Sequence, residues 1–209
     1  MFHLASTRFN NATFAENMAY RQTHKINAIY GTMIRMHTKI NIGSFLFIIE
    51  MNNETNMIEG ISLVKNSLVL DKKHKIYDND DYNRYIYRSD YWLSRQQIMD
   101  IDSNVIETFD KMLFKGKTHM KRACGITVLN EKLFITWKLV MNVWKEHIRR
   151  IFIQVFAPNE CHRYNYLRKK LLDENTEVPD VVADDADDCN MEADIFDLGT
   201  GIDTLSLLK

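Results

Sequence analysis

The stretch from Ser44 to Lys65 constrains this chain more than any other. Ser44 to Met51 is an almost unbroken apolar run, the pattern of a strand buried on both faces. Asn52-Asn53-Glu54-Thr55-Asn56 is a turn cluster, and Met57 to Lys65 returns as Met-Ile-Glu-Gly-Ile-Ser-Leu-Val-Lys. Two such runs around a polar turn predict a β-hairpin. Gly60 inside the return strand predicts a bulge or a close backbone approach. Across that hairpin Glu50 and Glu59 are expected to face each other, with nothing beside them that suggests acid–base work.

Around the hairpin the chain continues in mixed style. Residues 1–24 are polar and mixed, with a turn at Asn10-Asn11, and read as an N-terminal extension. Ile29 to Met36 predicts a strand and residues 66–83 a long polar loop. Arg84 to Arg88 predicts a further strand, and Tyr91-Trp92-Leu93 follows across a short turn. Residues 104–114 have helical spacing at Val105, Ile106, Phe109, Met112 and Leu113, with Ser103 as N-cap. Ile126 to Leu129 is a short strand. Glu131 to Phe156 reads as one long helix, because Trp137, Val140, Met141, Trp144, Ile148 and Phe152 form an apolar stripe. Arg163 to Leu172 reads as one more basic helix. The expected fold is α+β: a small, mostly antiparallel β-barrel or curved sheet with flanking helices. The division is a β-rich domain over 25–130, a helical closing segment over 131–172 and a disordered acidic tail over 173–209.

Charge sharpens that division. The net charge is -1. Residues 1–170 nevertheless carry 26 Lys+Arg against 16 Asp+Glu, whereas residues 171–209 carry one against 12. A basic body with an acidic extension suggests polyanion binding, the bland alternative being two solvated ends. The acidic tail, with Asp184-Asp185-Ala186-Asp187-Asp188 at its centre, is expected to compete for the basic surface of its own chain or to engage a protein partner.

Lys115, Lys117, Lys121 and Arg122, with His119 among them, place four fixed positive charges within eight residues. They are the candidate phosphate contacts, Gly116 allowing close approach, against the alternative of a solvated loop. The Gly116-Lys117-Thr118 triplet is not a P-loop, since the position five before Gly116 is Lys111 and not glycine. Tyr77, Tyr82, Tyr85, Tyr87, Tyr91 and Trp92 are interleaved with Arg84, Arg88 and Arg95. Of these, Tyr85, Tyr87, Tyr91 and Trp92 with Arg88 are the candidate stacking platform for bases, against the alternative of strand residues packing on a core.

Catalysis and metal binding have no support. The seven histidines form no ligand pattern, and neither a nucleophile elbow nor a dinucleotide fingerprint is present. No catalytic residue, metal or cofactor is expected, and the chain reads as a non-enzyme. Cys124, Cys161 and Cys189 are odd in number and widely spaced, which suits reduced thiols. No apolar run approaches the length of a membrane span, so no membrane partner is expected, and no signal peptide is visible. An intracellular protein is the expectation.

The run from Lys25 to Lys65, with Phe45-Leu46-Phe47-Ile48-Ile49 and then Ile58-Glu59-Gly60-Ile61-Ser62-Leu63-Val64, resembles the central strands of the PUA-like superfamily, which includes EVE, ASCH and YTH-type domains. Tyr85 to Trp92 falls where those domains return to their barrel. The resemblance implies a compact β-barrel that recognises RNA or a modified base. Lys117-Thr118-His119-Met120-Lys121-Arg122 followed by Gly125-Ile126-Thr127 is similar to proteins of large DNA viruses, which implies a viral origin and a host cytoplasmic, nuclear or virion location. The expected function is therefore binding of RNA or DNA. A structural or assembly role, using the basic surface for protein or genome contacts, is the alternative.

Overall fold

The computed structural model describes residues 2–157. The chain divides into two compact units between Ile148 and Arg149. The first unit carries the cleft and the groove described below. The basic helix expected at 163–172 and the acidic tail lie outside the described residues.

The hairpin expected from the sequence is the centre of the fold. Strands β3 (Phe45–Asn52) and β4 (Met57–Lys65) pair antiparallel, from Phe45 opposite Lys65 to Asn52 opposite Met57. The register shifts between Glu50, opposite Gly60, and Met51, opposite Ile58, so the bulge falls beside the glycine. All eight residues of β3 are buried.

The N-terminal residues are not an extension. His3–Phe9 forms strand β1, which pairs parallel with β3 along its whole length, from His3 opposite Leu46 to Phe9 opposite Asn52. Helix α1 (Asn11–His24) follows at once, started by a capping box between Asn10 and Thr13. The helix carries the chain to β2 (Ala28–Thr32), shorter than the strand expected through Met36. β2 pairs antiparallel with β5 (Tyr85–Ser89) in a separate two-stranded sheet. Short strands β6 (Trp92–Ser94) and β7 (Thr127–Val128) complete the main sheet, ordered β6-β4-β3-β1-β7. The architecture is thus α+β with an open, mixed five-stranded sheet. The closed barrel is not what forms: β6 and β7 are edges, and β2 with β5 stands apart.

Helix α2 (Arg95–Phe114) starts earlier than its apolar spacing predicts, capped by Ser94 and Gln97. It breaks at Asp102, whose φ of -152° and ψ of 94° are not helical, and Asp102 in turn accepts a hydrogen bond from the Asn104 amide. Beyond β7, the single helix expected over 131–156 is two, α3 (Glu131–Thr136) and α4 (Met141–Phe156). Lys138 at φ 56° marks the break, and Val140 is left 63% exposed. The apolar stripe runs across the interruption because periodicity does not register one left-handed residue. Among the described residues no helix is long and apolar enough to cross a membrane.

Candidate nucleic-acid interface

Beneath the sheet surface lies a buried polar knot. Glu50, which has no exposure at all, pairs with Arg21 from α1. Its Oε1 accepts a hydrogen bond from the Tyr30 hydroxyl at 2.6 Å, and its Oε2 accepts one from the Trp92 indole at 3.0 Å. The Arg21 guanidinium lies 5.4 Å from the ring centres of both Tyr30 and Trp92. Burial, and then the Glu50 charge, hold the Tyr30 phenol well above its ordinary pKa. Burial opposes the charge on Arg21, and Glu50 more than reverses that, so its pKa is raised. This carboxylate is therefore a structural counter-ion. Glu59 is not its partner: it accepts from Asn52 at 2.8 Å.

The knot changes the reading of the aromatic platform. Tyr87 is buried, 2% exposed, and its hydroxyl accepts from the Met36 amide at 3.0 Å, so it presents no face to a base. Trp92 is half-buried and engaged by Glu50 and Arg21. Tyr85 is half-buried beneath the Arg35 guanidinium, 5.2 Å from its ring centre. Tyr91 is half-buried as well, and Arg88 is exposed, 3.8 Å from Asp71. These residues do not form one open stacking surface.

A different aromatic wall exists. Loop 66–84 is pinned to α1 at two points: the Asn17 amide donates to the Tyr77 hydroxyl at 2.9 Å, and Tyr20 meets buried His74 at 2.8 Å, which in turn meets Asp71 at 3.0 Å. Asn83 ties the loop internally through the Ile76 and Tyr77 amides. The result places Tyr77 and Tyr82 edge to face, ring centres 5.9 Å apart, beside a cleft; Tyr77 is 5% exposed and backs the wall, and Tyr82, 38% exposed, is the ring that stays open. Gly31 makes this possible, because a Cβ there would collide with the Tyr82 carbonyl.

The cleft has a volume of about 240 Å³ and sits at the carboxyl ends of β1 and β3, between the start of α1 and the end of β2. Apolar surface comes from Phe9, Met33 and the two tyrosines. Polar groups come from Thr7, Arg8 and Asn53. Arg8 is its one charged lining residue, and among the described residues it has no carboxylate partner. One guanidinium nitrogen donates to the Lys121 carbonyl, while its buried Nε has no hydrogen-bond partner. Asn53 donates to the same carbonyl at 3.0 Å, and its buried Oδ1 is unpartnered. Thr7 is 7% exposed, and among the described residues its hydroxyl makes no hydrogen bond. The start of α1 adds little charge complement, because Asn10 caps it and the Glu54 carboxylate already accepts from the Asn11 amide at 3.2 Å.

Arg8 and Asn53 thus anchor the basic loop to the cleft. Lys115, Lys117 and Arg122 are exposed, and Lys121 and His119 are half-buried, the Lys121 ammonium reaching Asn56 at 2.7 Å. Gly116 has φ 76°, and Trp137 packs close beneath it. Sequence reasoning located this loop, grouped Tyr77 and Tyr82 with the other aromatics, and missed Arg8 and Asn53. One signal was available: Arg8 is the single Lys or Arg in a seven-residue strand that is otherwise mostly buried. Cys124 is a free thiol on the cleft rim. Among the described residues no group of three His, Cys, Asp or Glu is placed to hold a metal ion. No protein-family model, curated protein or solved structure matches the chain.

Proposed function

We propose that this chain binds nucleic acid, RNA or DNA, taking one base into the cleft between β1 and β2 while the loop from Lys115 to Arg122 meets the phosphates. The observation that carries the reading is Arg8. Among the described residues it is a guanidinium without a carboxylate partner, in a small cleft with the exposed Tyr82 on its rim, and it holds in place a loop with four fixed positive charges within eight residues. Guanidinium and amide groups beside flat rings are what a base edge and its faces require. At about 240 Å³ the cleft lies below the range of roughly 300–1,000 Å³ that takes drug-sized ligands, which suits one base and not a folded partner. The PUA-like resemblance implies the same ligand, although the sheet is open where a barrel was expected.

The test is binding of labelled single-stranded RNA and DNA across a salt series. The triple variant Lys117→Ala, Lys121→Ala, Arg122→Ala is expected to flatten the salt slope by about one unit for each phosphate that the loop no longer neutralises. An unchanged slope removes the loop from the interface. Absence of any salt-dependent binding by the wild-type chain ends the reading.

A further inference from the structure

A second concavity lies on the far side of Lys121. It is an open groove lined by Asn56, from the turn between β3 and β4, and by Glu107, Asp110, Lys111, Phe114 and Lys115 from the end of α2. Each of its carboxylates has a cationic neighbour. Asp110 pairs with Arg95 at 2.7 Å and accepts from the Ile58 amide at 2.8 Å, and Glu107 lies 3.7 Å from Lys111. Lys115 is left as exposed positive charge without a carboxylate partner among the described residues. Lys121 joins the two concavities: its carbonyl is held by Arg8 and Asn53 on the cleft side, its ammonium by Asn56 on the groove side.

From this arrangement we infer that the ligand is a single strand held across two adjacent subsites, a base-reading cleft and a backbone-reading groove, with its chain crossing over Lys121. The inference rests on the nucleic-acid reading above and specifies it. A paired base cannot enter a cleft, so the strand must be unpaired there. The groove contains one aromatic ring, and Phe114 is only 7% exposed, so it offers no face for stacking. Beside its two carboxylates it offers the Asn56 amide and the Lys111 and Lys115 ammonium groups, which suit sugar and phosphate and carry no base preference. Selectivity therefore belongs to one nucleotide, and affinity grows when a neighbour is attached to it.

The experiment compares a nucleoside monophosphate, a trinucleotide and a hexanucleotide of one sequence, with a hairpin duplex as competitor. Three proteins are used: wild type, the groove variant Lys111→Glu and the cleft-filling variant Met33→Trp. Wild type is expected to bind the trinucleotide about ten-fold more tightly than the monophosphate, with little further gain at six. Lys111→Glu removes most of that gain and leaves monophosphate affinity within about two-fold, a change of under 0.5 kcal/mol. Met33→Trp weakens the monophosphate and the trinucleotide alike. The inference is overturned if length brings no gain, if Lys111→Glu weakens both ligands equally, or if the duplex competes as well as the single strand. In each of those cases salt-dependent binding by the basic loop still stands. If no nucleic acid binds in any form, the proposed function falls and this inference with it.

Discussion

Arg8 and Arg21 lie thirteen positions apart, one on β1 and one on α1, and they differ in burial and in having a counter-ion. Arg21 is 4% exposed, paired with Glu50 and flanked by two aromatic rings. Arg8 is half-buried, flanked by a cleft and, among the described residues, paired with no carboxylate. A buried charge without compensation is expensive, so the first arginine is tolerated only because Glu50 is there. The second keeps its charge near solvent and leaves it available. The same residue type is thus scaffold in one place and candidate ligand contact in the other, and the neighbours decide which.

The sharpest way to break this comparison is to remove the counter-ion. Glu50→Leu strands the Arg21 charge in the core and is expected to destabilise the fold by about 3–5 kcal/mol, read as a urea midpoint. Pairing it with Arg21→Met should recover much of that loss, whereas a double variant no better than the single would show that the knot acts through packing alone. Next in size is Trp92→Ala, which opens a cavity beside the same knot and should lower stability by about 3 kcal/mol. If instead it keeps its melting temperature and loses oligonucleotide binding, Trp92 belongs to the interface and not to the scaffold.

Arg8→Lys probes the other side. It retains the charge and loses the forked donor set, so nucleic-acid affinity should drop by about 1–2 kcal/mol. Its thermal melt is expected to move far less than that of Glu50→Leu. Equal losses of stability from both would erase the distinction drawn between the two arginines. The smallest expected effect concerns His3. Burial, and then Lys145, lower its pKa in the folded state. A lowered folded pKa favours the neutral ring, so stability is full above the unfolded value of about 6.5 and declines modestly as pH falls below it. Replacing His3 by Gln should flatten that stretch of the stability–pH curve.

The sequence makes some of this legible and conceals the rest for identifiable reasons. The β3–β4 hairpin is readable because its apolar runs are contiguous and its turn is polar, and the bulge is readable from Gly60. A Cβ at that glycine would come within 2.6 Å of the Leu93 carbonyl and 2.7 Å of the Trp92 indole nitrogen. β1 is not readable, because buried Ser6 and Thr7 interrupt its apolar character. Parallel partners far along the chain leave no local signal either. Alternation groups Tyr87 with Tyr85 on one face of their strand, but it carries no information on which face of a small sheet other elements cover. The basic loop shows plainly as charge density. The cleft does not, since it draws on Thr7 to Thr13, Gly31 to Met33, Asn53, the pair Tyr77 and Tyr82, and Cys124 with Gly125, regions that only the fold brings together.

The place of β1 in the main sheet has a consequence for how the chain acquires its structure. β3 and β4 are joined by a short turn and can zip together as soon as both exist. β1 comes first in the chain, yet each of its partners comes late: Ala5 is opposite Ile48 on one side and Val128 on the other. Closing such distant pairs means paying loop-closure entropy before the contacts repay it, which slows folding. On a ribosome the β7-facing edge of the first strand waits unpaired until Val128 has been made. Helix α1, capped by its own neighbours Asn10 and Thr13, is the one nearby element able to form early in that wait. The outer edge of β1 is therefore completed long after its inner one, and slow synthesis through residues 115–130 would lengthen the interval in which that edge is exposed to chaperones or to self-association.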